Sequence, residues 1–356
     1  MIGYLYAKNV IVDMIMRDLE KERSFMARVL CTGGAGFIGS HLVDKLIDEG
    51  HLVWTIDDYS GGTLSNINHK PIYPGGFIAC KADCRDATTI DYLMNQFKPE
   101  VVYHLACNAA EQKAQFSPID ITSRNYDAFI KVLTPFIKYG GQRFIFTSSI
   151  AVYGGLQTPF SETDKPEPED LYGITKLAAE QTLKVMSKIH GFEYVIARPH
   201  NVYGPRQNMR DPYRNVVTIW MNQILRGEPV TIYGDGEQRR CFSYIDDVVD
   251  ALFECMGRDV NGMTFNIGAD KDHTLNELYS AMASNVPVRY LPARDEVKIA
   301  IADHTQAKGY LDYKDKTPLA QGLEATWDWC KTMGPQDPIY TGIEIPSKAL
   351  PINWIK

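Results

Sequence analysis

The glycine-rich stretch Thr32-Gly33-Gly34-Ala35-Gly36-Phe37-Ile38-Gly39 is the most informative segment of this 356-residue chain. Its glycines fall at G-x-x-G-x-x-G, after a short apolar segment at 28–32 and before a helical pattern at 39–49. Because glycine lacks a Cβ, backbone N–H groups in such a turn can approach a pyrophosphate, and the start of the helix adds about half a positive charge. The context predicts a dinucleotide-binding turn between a strand and a helix.

A carboxylate at the end of the next predicted strand, 52–56, supports this interpretation. Asp57 lies 24 residues after Gly33, where it can accept hydrogen bonds from both ribose hydroxyls of an adenosine. It would repel a 2′-phosphate, so the sequence favours NAD over NADP. Asp83 follows the third predicted strand and is expected to meet the adenine. The expected cofactor-binding residues are Gly33, Gly36, Phe37, Ile38, Gly39, Asp57, Asp58, Asp83, Cys84, Leu105, Ala106, Tyr172 and Lys176.

Strand-like and helix-like segments alternate from residue 28 to about residue 198. The predicted strands are 28–32, 52–56, 76–80, 101–105, 143–147 and 194–198, and the predicted helices are 39–49, 88–97, 123–139 and 172–190. Such alternation predicts an α/β protein with a Rossmann-type, doubly wound parallel sheet. After residue 199 proline and glycine become more frequent, which predicts a smaller C-terminal substrate-binding domain.

The predicted domain boundaries follow from these changes in pattern. We expect a helical N-terminal extension at 1–25, with its apolar periodicity at 8–23, and a tail at 336–356. The dinucleotide-binding domain is predicted at 26–198, with part of 236–265 returning to it, and the substrate-binding domain at 199–335. Thr274-x-x-Glu277 is a capping-box pattern that predicts the start of a late helix.

Composition excludes several classes of function. Lys and Arg total 37 and Asp and Glu 44, so the net charge of −7 gives no reason to expect nucleic acid or an anionic membrane as a partner. The longest uncharged stretch, 144–161, is too polar to cross a bilayer, and the first 25 residues lack a secretory cleavage pattern. The seven cysteines are scattered without a C-x-x-C pair. They predict reduced thiols in a cytoplasmic protein with no metal site.

A second set of residues predicts catalysis. Tyr172 and Lys176 form a Y-x-x-x-K pair on one helix face, and Ser149 lies 23 residues before Tyr172, just past a predicted strand. A free tyrosine has a pKa near 10, but a lysine ammonium and a positive nicotinamide ring both stabilise phenolate. Tyr172 is therefore predicted to act as a base, with Ser149 holding the same substrate oxygen and Lys176 also anchoring the nicotinamide ribose.

At these residues the chain resembles the extended short-chain dehydrogenase/reductase family, and within it the nucleotide-sugar epimerases of the UDP-glucose 4-epimerase type. The resemblance runs from about residue 27 to about residue 322. It is carried by TGGAGFIGSH, HLA, SSIAVYG, YGITK, RPHNVYGPRQ and YGDGEQRRCFSYIDD. It implies NAD as cofactor, a nucleotide-diphosphate sugar as substrate and residues 199–335 as the domain that binds that substrate.

The resemblance also implies a substrate-binding set. Asn201 should meet the sugar nucleotide near the active site, and Asn215, Arg240 and Arg294 should hold its diphosphate or nucleoside. Two arginines directed at a pyrophosphate also make physical sense, because their planar guanidinium groups bind phosphate through two parallel hydrogen bonds. A local cationic site of this kind reconciles an anionic substrate with an acidic protein.

Members of this family oxidise a sugar hydroxyl and differ in the fate of the resulting ketone. Dehydratases resemble one another in having an acidic pair after the catalytic Ser or Thr, 3,5-epimerases have a cysteine there, and decarboxylases usually have a glutamate in the same loop. This chain has Ile150 and Ala151 after Ser149. The remaining prediction is epimerisation at carbon 4: oxidation, rotation of the 4-keto sugar, and return of the hydride to its other face, with NAD retained.

The chain departs from the family pattern in three places, and the first of them keeps a second reaction open. Glu111 and Lys113 follow the HLA segment in a divergent stretch, where they would either face the sugar or lie in an exposed polar loop. They are candidates for the extra base that dehydration, or epimerisation at another carbon, would need. The segment after Arg294 lacks the usual Pro-Gly, and the position that resembles the substrate-size gate is Ala300, which would leave room for an N-acetyl group.

A protein of another class, an NAD-binding sensor without turnover, is a further interpretation. Such proteins typically lose the Tyr or the Lys, whereas this chain has both Tyr172 and Lys176.

The helices 123–139 and 172–190 also resemble the pair that forms a dimer interface in this family, so a homodimer is expected. Apolar residues in these helices suit either that interface or packing on the sheet; they are Phe129, Val132, Leu133, Phe136, Leu177 and Leu183.

Overall fold

A computed structural model of the chain describes residues 26–68, 76–283, 285–294, 296–340, 342–351 and 354. The predicted N-terminal helix at 8–23 lies outside the described residues. The strands are β1 (Arg28–Thr32), β2 (Leu52–Asp57), β3 (Phe77–Lys81), β4 (Val101–His104), β5 (Arg143–Thr147), β6 (Glu193–Pro199), β7 (Val202–Tyr203), β8 (Val230–Tyr233), β9 (Arg239–Cys241), β10 (Ser243–Tyr244), β11 (Thr264–Ile267), β12 (Asp272–Thr274), β13 (Val288–Leu291) and β14 (Ile299–Ala300).

The helices cover the sheet and build the second lobe. They are α1 (Phe37–Asp48), α2 (Ala87–Phe97), α3 (Glu111–Ala114), α4 (Pro118–Thr122), α5 (Ala128–Lys138), α6 (Leu171–His190), α7 (Val216–Leu225), α8 (Ile245–Gly257), α9 (Leu275–Ala283), α10 (Thr305–Leu311) and α11 (Leu319–Met333). Short 3₁₀ turns lie at Leu64–Asn66 and Ile150–Tyr153, and a π-helical turn at Ser123–Asp127 joins α4 to α5. No helix in the described part of the chain combines the length and apolarity that crossing a membrane requires.

The main sheet has seven parallel strands in the order β11-β6-β5-β4-β1-β2-β3. One core lies between this sheet and helices α1 and α8, where Leu42, Leu46 and Leu252 are buried. A second core lies on the opposite face under α2, α5 and α6. The prediction of a Rossmann-type, doubly wound sheet is confirmed. The chain order changes direction between β1 and β4, so a crevice opens at the carboxyl ends of these two strands.

Helix α8 and strand β11, which pack on and extend the main sheet, come from a distant part of the sequence. After β6 the chain leaves for the second lobe, returns as α8 and adds β11 to the edge of the sheet beside β6. The second lobe has its own core around Trp220 and Ile232, formed by α7, β8, α9 and α11. The two strand pairs β8–β13 and β9–β14 in this lobe are parallel, and β9–β12 is antiparallel.

One predicted helix differs from the observed structure. The segment expected as a single helix at 123–139 begins earlier, at Pro118, and passes through the π-helical turn before α5. Proline fits the first turn of a helix because its missing N–H has no partner there. Of the apolar residues considered for a dimer interface, Leu177 is partly buried and the others are buried in the core under α2, α5 and α6: Phe129, Val132, Leu133, Phe136 and Leu183.

Candidate active site

A cleft of about 610 Å³ runs from the carboxyl ends of β1 and β4 into the second lobe. Its volume lies in the range typical of small-molecule and cofactor sites. The structure brings every sequence-predicted site residue into the lining of this one cleft: Gly33, Gly36, Phe37, Ile38, Gly39, Asp57, Asp58, Asp83, Cys84, Leu105, Ala106, Ser149, Tyr172, Lys176, Asn201, Asn215, Arg240 and Arg294.

The glycine turn has the backbone shape that a dinucleotide needs. Gly33 has a φ of +70°, and a Cβ built there would lie 2.8 Å from the Ala106 backbone nitrogen. A Cβ on Gly39 would lie 2.1 Å from the Gly33 carbonyl oxygen. Helix α1 begins after Gly36, which has no side chain to cap it. The first N–H groups of the helix are therefore left for a ligand in the cleft, and this fits the pyrophosphate of NAD.

Asp57 is fixed at the end of β2 by the same turn. One carboxylate oxygen accepts a hydrogen bond from the Ala35 N–H at 3.0 Å and the other from the Tyr59 N–H at 2.8 Å. Burial raises the pKa of Asp57, and these two backbone hydrogen bonds oppose that rise. The carboxylate therefore stays oriented at the cleft wall. An aspartate in this position suits two neighbouring ribose hydroxyls, so the residues present fit the adenosine half of NAD.

The other two carboxylates of the predicted cofactor set are paired with arginines. Asp58 accepts a hydrogen bond from Arg124 at 2.9 Å, and Asp83 forms an ion pair with Arg85 at 2.6 Å. Arg124 also pairs with Asp120 at 2.8 Å, so it joins the end of β2 to α4. These pairs give the end of the cleft near β2 and β3 a rim whose charges are largely compensated within the protein.

The predicted catalytic residues converge on one face of α6 and the loop after β5. Asp170 caps the helix by accepting a hydrogen bond from the Gly173 N–H at 2.8 Å. Tyr172 and Lys176 follow four residues apart, so both side chains point into the cleft. The Lys176 ammonium donates to the Thr147 carbonyl at 2.7 Å and lies 5.7 Å from the centre of the Tyr172 ring.

Ser149 completes this group from the opposite side. Its hydroxyl accepts a hydrogen bond from the Ala151 N–H at 3.1 Å and hydrogen-bonds the Tyr172 phenol. Burial raises the pKa of Tyr172 well above its usual range, nearby Cys107 and Glu111 add to this, and the Ser149 hydrogen bond opposes it. The phenol is therefore protonated at neutral pH even with the Lys176 ammonium beside its ring. A nicotinamide ring is the further positive charge that the predicted arrangement would bring to stabilise the phenolate.

Two arginines form a cationic wall in the second lobe. Arg240 donates to three backbone carbonyl groups and lies 3.6 Å from the Glu296 carboxylate. Arg294 lies 3.7 Å from the same carboxylate, and its guanidinium stacks 3.8 Å above the centre of the Tyr233 ring. Both guanidinium groups are held in place, and the carboxylates that interact with them are Glu296 and the cleft-lining Glu111. Two guanidinium groups in one wall of the cleft suit a phosphate-bearing ligand, because each can bind phosphate through parallel hydrogen bonds.

The two predicted asparagines shape the loop between β6 and α7. Asn201 and Asn215 have φ values of +44° and +61°, a left-handed conformation that asparagine tolerates better than most residues. The Asn215 side chain caps α7 by accepting from the Val217 N–H at 3.2 Å and donates to the Val202 carbonyl. The Asn215 amide therefore holds the start of α7 against β7, and Asn215 also lines the cleft.

The two residues of the divergent stretch have different surroundings. Glu111 begins α3, lines the cleft and interacts electrostatically with Arg240 and Arg294. Its side chain faces the cleft, and desolvation by the protein around it, with a smaller effect of Asp170, raises its pKa to about 7. Lys113 is buried beside Asp120 and the Tyr213 ring and does not contribute to the lining. Glu111, and not Lys113, is therefore available for chemistry in the cleft.

Several contributors to the site were not predicted from the sequence. Glu180 continues the Tyr172–Lys176 face of α6 and forms a fully buried ion pair with Arg198 at 2.6 Å. The spacing of four residues could have indicated it. His200 hydrogen-bonds His304 at 2.8 Å, a contact between residues 104 positions apart that no local pattern reveals. The same is true of Tyr340 from the C-terminal tail, which lines the cleft.

A glycine turn at the switch point of a doubly wound sheet, together with a Ser–Tyr–Lys group in the same cleft, defines a dehydrogenase-type NAD-binding enzyme. Residues 29–268 match the family described as NAD dependent epimerase/dehydratase, which is more than half of the chain. The chain therefore belongs to this family and uses NAD as its cofactor.

The similarity to named relatives extends over nearly their whole length. A UDP-glucose 4-epimerase from Mycolicibacterium smegmatis is 33% identical over 84% of this chain and 97% of its own. The crystal structure of the UDP-glucose 4-epimerase of Thermotoga maritima with UDP-glucose is 35% identical, with a TM-score of 0.79 over 86% of this chain and 99% of that one. A UDP-N-acetyl-alpha-D-glucosaminuronate decarboxylase from Bacillus cytotoxicus is 30% identical over 85% of this chain and 97% of its own.

Proposed function

We propose that this enzyme epimerises a UDP sugar at carbon 4 through a 4-keto intermediate and retains its NAD. The observation that carries the proposal is the composition of the cleft around Tyr172. Ser149 and Lys176 flank the phenol, and a cationic pair lies in the second lobe, where a diphosphate would bind. The two residues after Ser149 are Ile150 and Ala151, which cannot transfer protons. The cleft therefore has the groups needed to oxidise one carbon of the sugar and to return the hydride to that same carbon.

Each residue has one task in the proposed reaction. Ser149 donates a hydrogen bond to the 4-oxygen, and Tyr172 accepts the proton of the 4-hydroxyl as the carbonyl forms. Lys176 stabilises the phenolate. The glycine turn and Asp57 would hold NAD, which would supply the acceptor for the hydride of carbon 4 and the donor for its return. Tyr172 then returns the proton to the oxygen, so the enzyme is unchanged after one cycle and needs no further oxidant.

Glu111 supports a second candidate function. It is a carboxyl group with a pKa of about 7 that lines the same cleft and interacts electrostatically with Tyr172. A group with this pKa is suited to removing a proton from a carbon next to a ketone. The alternative is therefore dehydration, or epimerisation at a neighbouring carbon, on the same 4-keto sugar, with Glu111 as the additional base.

Turnover in D₂O separates the two candidates. In epimerisation at carbon 4, the hydrogen that leaves carbon 4 as hydride is returned to carbon 4 without exchange with solvent. Proton NMR should therefore show a product without deuterium on carbon. Removal of a proton by Glu111 would exchange it with solvent, and deuterium would appear at carbon 3 or carbon 5. The variant Glu111→Gln should leave the first pattern unchanged. Deuterium on carbon that disappears in Glu111→Gln would contradict the 4-epimerase proposal and establish the alternative.

We further propose that the enzyme is a cytoplasmic homodimer. The seven cysteines all lie in the described part of the chain and none of them forms a disulfide, as is usual for proteins of reducing compartments. Helix α6 leaves three apolar side chains about half exposed or more on its outer face, namely Ile174, Val185 and Ile189. Such a stripe suits a second copy of the same helix. Sedimentation at micromolar concentration should show a dimer that Val185→Glu weakens, and a monomeric wild type would refute the dimer.

A further inference from the structure

The C-terminal tail, residues 335–340 and 342–351, is anchored along the rim of the second lobe. The Gln336 N–H donates to the Asn222 side chain at 2.9 Å, and the Asn222 amide donates back to the Gln336 carbonyl at 2.9 Å. Asp337 pairs with Arg226 at 2.5 Å, and the Ile339 N–H donates to the Arg210 carbonyl at 2.8 Å. These contacts fix the tail beside α7 over residues 336–339.

The fixed segment delivers two side chains to the cleft. Pro338 and Tyr340 both line it. Tyr340 is partly buried, its ring lies 6.1 Å from that of Tyr213 with the planes at right angles, and it interacts electrostatically with Tyr233 and Glu228. The tail therefore contributes part of the cleft wall and does not merely cover the outside of the lobe.

The position of these side chains along the cleft indicates which part of the substrate they would meet. A sugar nucleotide is a linear molecule: sugar, diphosphate, nucleoside. With the sugar at Tyr172 and the diphosphate at the arginine pair, the nucleoside must lie further into the second lobe. Arg294 stacks on Tyr233, and Tyr340 is the tail residue that lines the same cleft and interacts electrostatically with Tyr233. The order of the groups therefore places Tyr340 at the nucleoside end.

We infer that the C-terminal tail forms one wall of the nucleoside subsite, with Tyr340 as the aromatic contact for the nucleobase and Pro338 beside it. The inference rests on the proposed function, because it takes the ligand to be a nucleoside diphosphate sugar. A flat aromatic ring in a partly desolvated position is well suited to a nucleobase, since every base has an apolar face. The tail would thus raise affinity for the nucleotide without touching the reacting sugar.

A second group of tail residues holds the neighbouring loop in place. Trp354 packs edge-on against Tyr213 at 4.8 Å and against Phe116 at 6.3 Å. The Glu344 carboxylate accepts hydrogen bonds from the N–H groups of Ile119 and Asp120 at 2.8 Å each. The tail therefore connects the loop that carries Tyr213, which lines the cleft, to Phe116 and to α4.

The test measures nucleotide binding by calorimetry in the full-length protein. UDP, ADP, GDP, CDP and dTDP are titrated into the wild type, and the tightest binder is then titrated into Tyr340→Ala and Tyr340→Phe. Loss of one base–aromatic contact is expected to raise the Kd at least about fivefold in Tyr340→Ala, and Tyr340→Phe should restore most of the affinity. Ile345→Ala, an exposed tail position, is the matched control and should bind like the wild type.

The outcomes separate this inference from the proposed function. Wild-type affinity in Tyr340→Ala would overturn the inference. So would an equal loss of affinity for inorganic pyrophosphate, because a nucleoside contact leaves phosphate binding unchanged. Tightest binding of a nucleotide other than UDP would contradict the proposed UDP sugar, and Tyr340→Ala would then be judged with that nucleotide. If the wild type binds none of the five, both the inference and the proposed function fail.

Discussion

The ion pair between Glu180 and Arg198 offers the sharpest test of how the catalytic helix is held. The two side chains are 1% and 2% exposed, and Arg198 donates to both carboxylate oxygens, at 2.9 and 2.6 Å. Glu180 also accepts a hydrogen bond from Ser148 at 2.5 Å, and Arg198 donates to Tyr153 at 2.6 Å. The pair therefore links α6 and β6 directly beneath the loop that carries Ser149.

Glu180→Gln preserves the shape of the side chain but removes the carboxylate that is directly paired with the buried guanidinium. Removing one partner of a buried, hydrogen-bonded pair typically costs about 3–5 kcal/mol of unfolding free energy. Arg143 and Glu193 provide a matched control at the same N–O distance of 2.6 Å, because Glu193 is 48% exposed and Arg143 keeps three backbone carbonyl partners. Glu193→Gln is expected to cost about 0–1 kcal/mol.

Urea unfolding followed by circular dichroism, at equal NAD content, measures both variants. The predicted result is a large decrease in the midpoint for Glu180→Gln and little change for Glu193→Gln, with similar dependence on denaturant. The reasoning is wrong if Glu180→Gln lowers the free energy of unfolding by less than about 1 kcal/mol, or by no more than Glu193→Gln does, because burial would then not decide the strength of this pair.

Three further predictions concern the cleft and its titrating groups. Tyr172→Phe should lower kcat by about 10²–10⁴-fold, with bound NAD retained as measured by absorbance of the released cofactor; retained activity would exclude Tyr172 as the base. Glu111 should disfavour an acidic sugar when it is ionised. Its pKa of about 7 predicts that turnover of UDP-glucuronate relative to UDP-glucose rises as the pH falls from 8 to 6, and that Glu111→Gln removes this dependence; an unchanged ratio would place Glu111 away from the sugar. Burial lowers the pKa of His41 to about 4 and of His104 to about 3. The unfolded chain then binds more protons below pH 6.5, so the free energy of unfolding should fall from pH 7 to 5.5, by roughly 1.4 kcal/mol per histidine and pH unit at most, and a flat profile would contradict the assignment.

The parts of the structure that depend on neighbouring residues were predictable from the sequence. The β1–turn–α1 unit follows from glycine positions and apolar spacing within 20 residues. The predicted capping box is confirmed: the Glu277 N–H donates to the Thr274 hydroxyl at 3.0 Å, and the Thr274 N–H donates to the Glu277 carboxylate at 2.9 Å. In each case the physical cause lies within a turn or two of the chain, so a single sequence reveals it.

The remainder depends on contacts between distant residues. The π-helical turn at Ser123–Asp127 contains Asn125, whose side chain bonds the backbone N–H and carbonyl of Asn108 at 2.7 and 3.1 Å. Helical periodicity in the segment itself cannot show that a loop 17 residues away requires this amide. The position of Tyr340 in the cleft is of the same kind, because it depends on Asn222 and Arg226 receiving the tail.

The most direct test of the central claim, redox-neutral epimerisation at carbon 4 with retained NAD, is proton NMR of the purified protein with no added cofactor. UDP-glucose, UDP-N-acetylglucosamine, UDP-glucuronate and GDP-mannose are each incubated with it. The expected result is that a UDP sugar loses its carbon-4 configuration and reaches an equilibrium of two epimers. A 6-deoxy-4-keto product, release of carbon dioxide, or no change in any of the four with NAD present in the protein would contradict the claim.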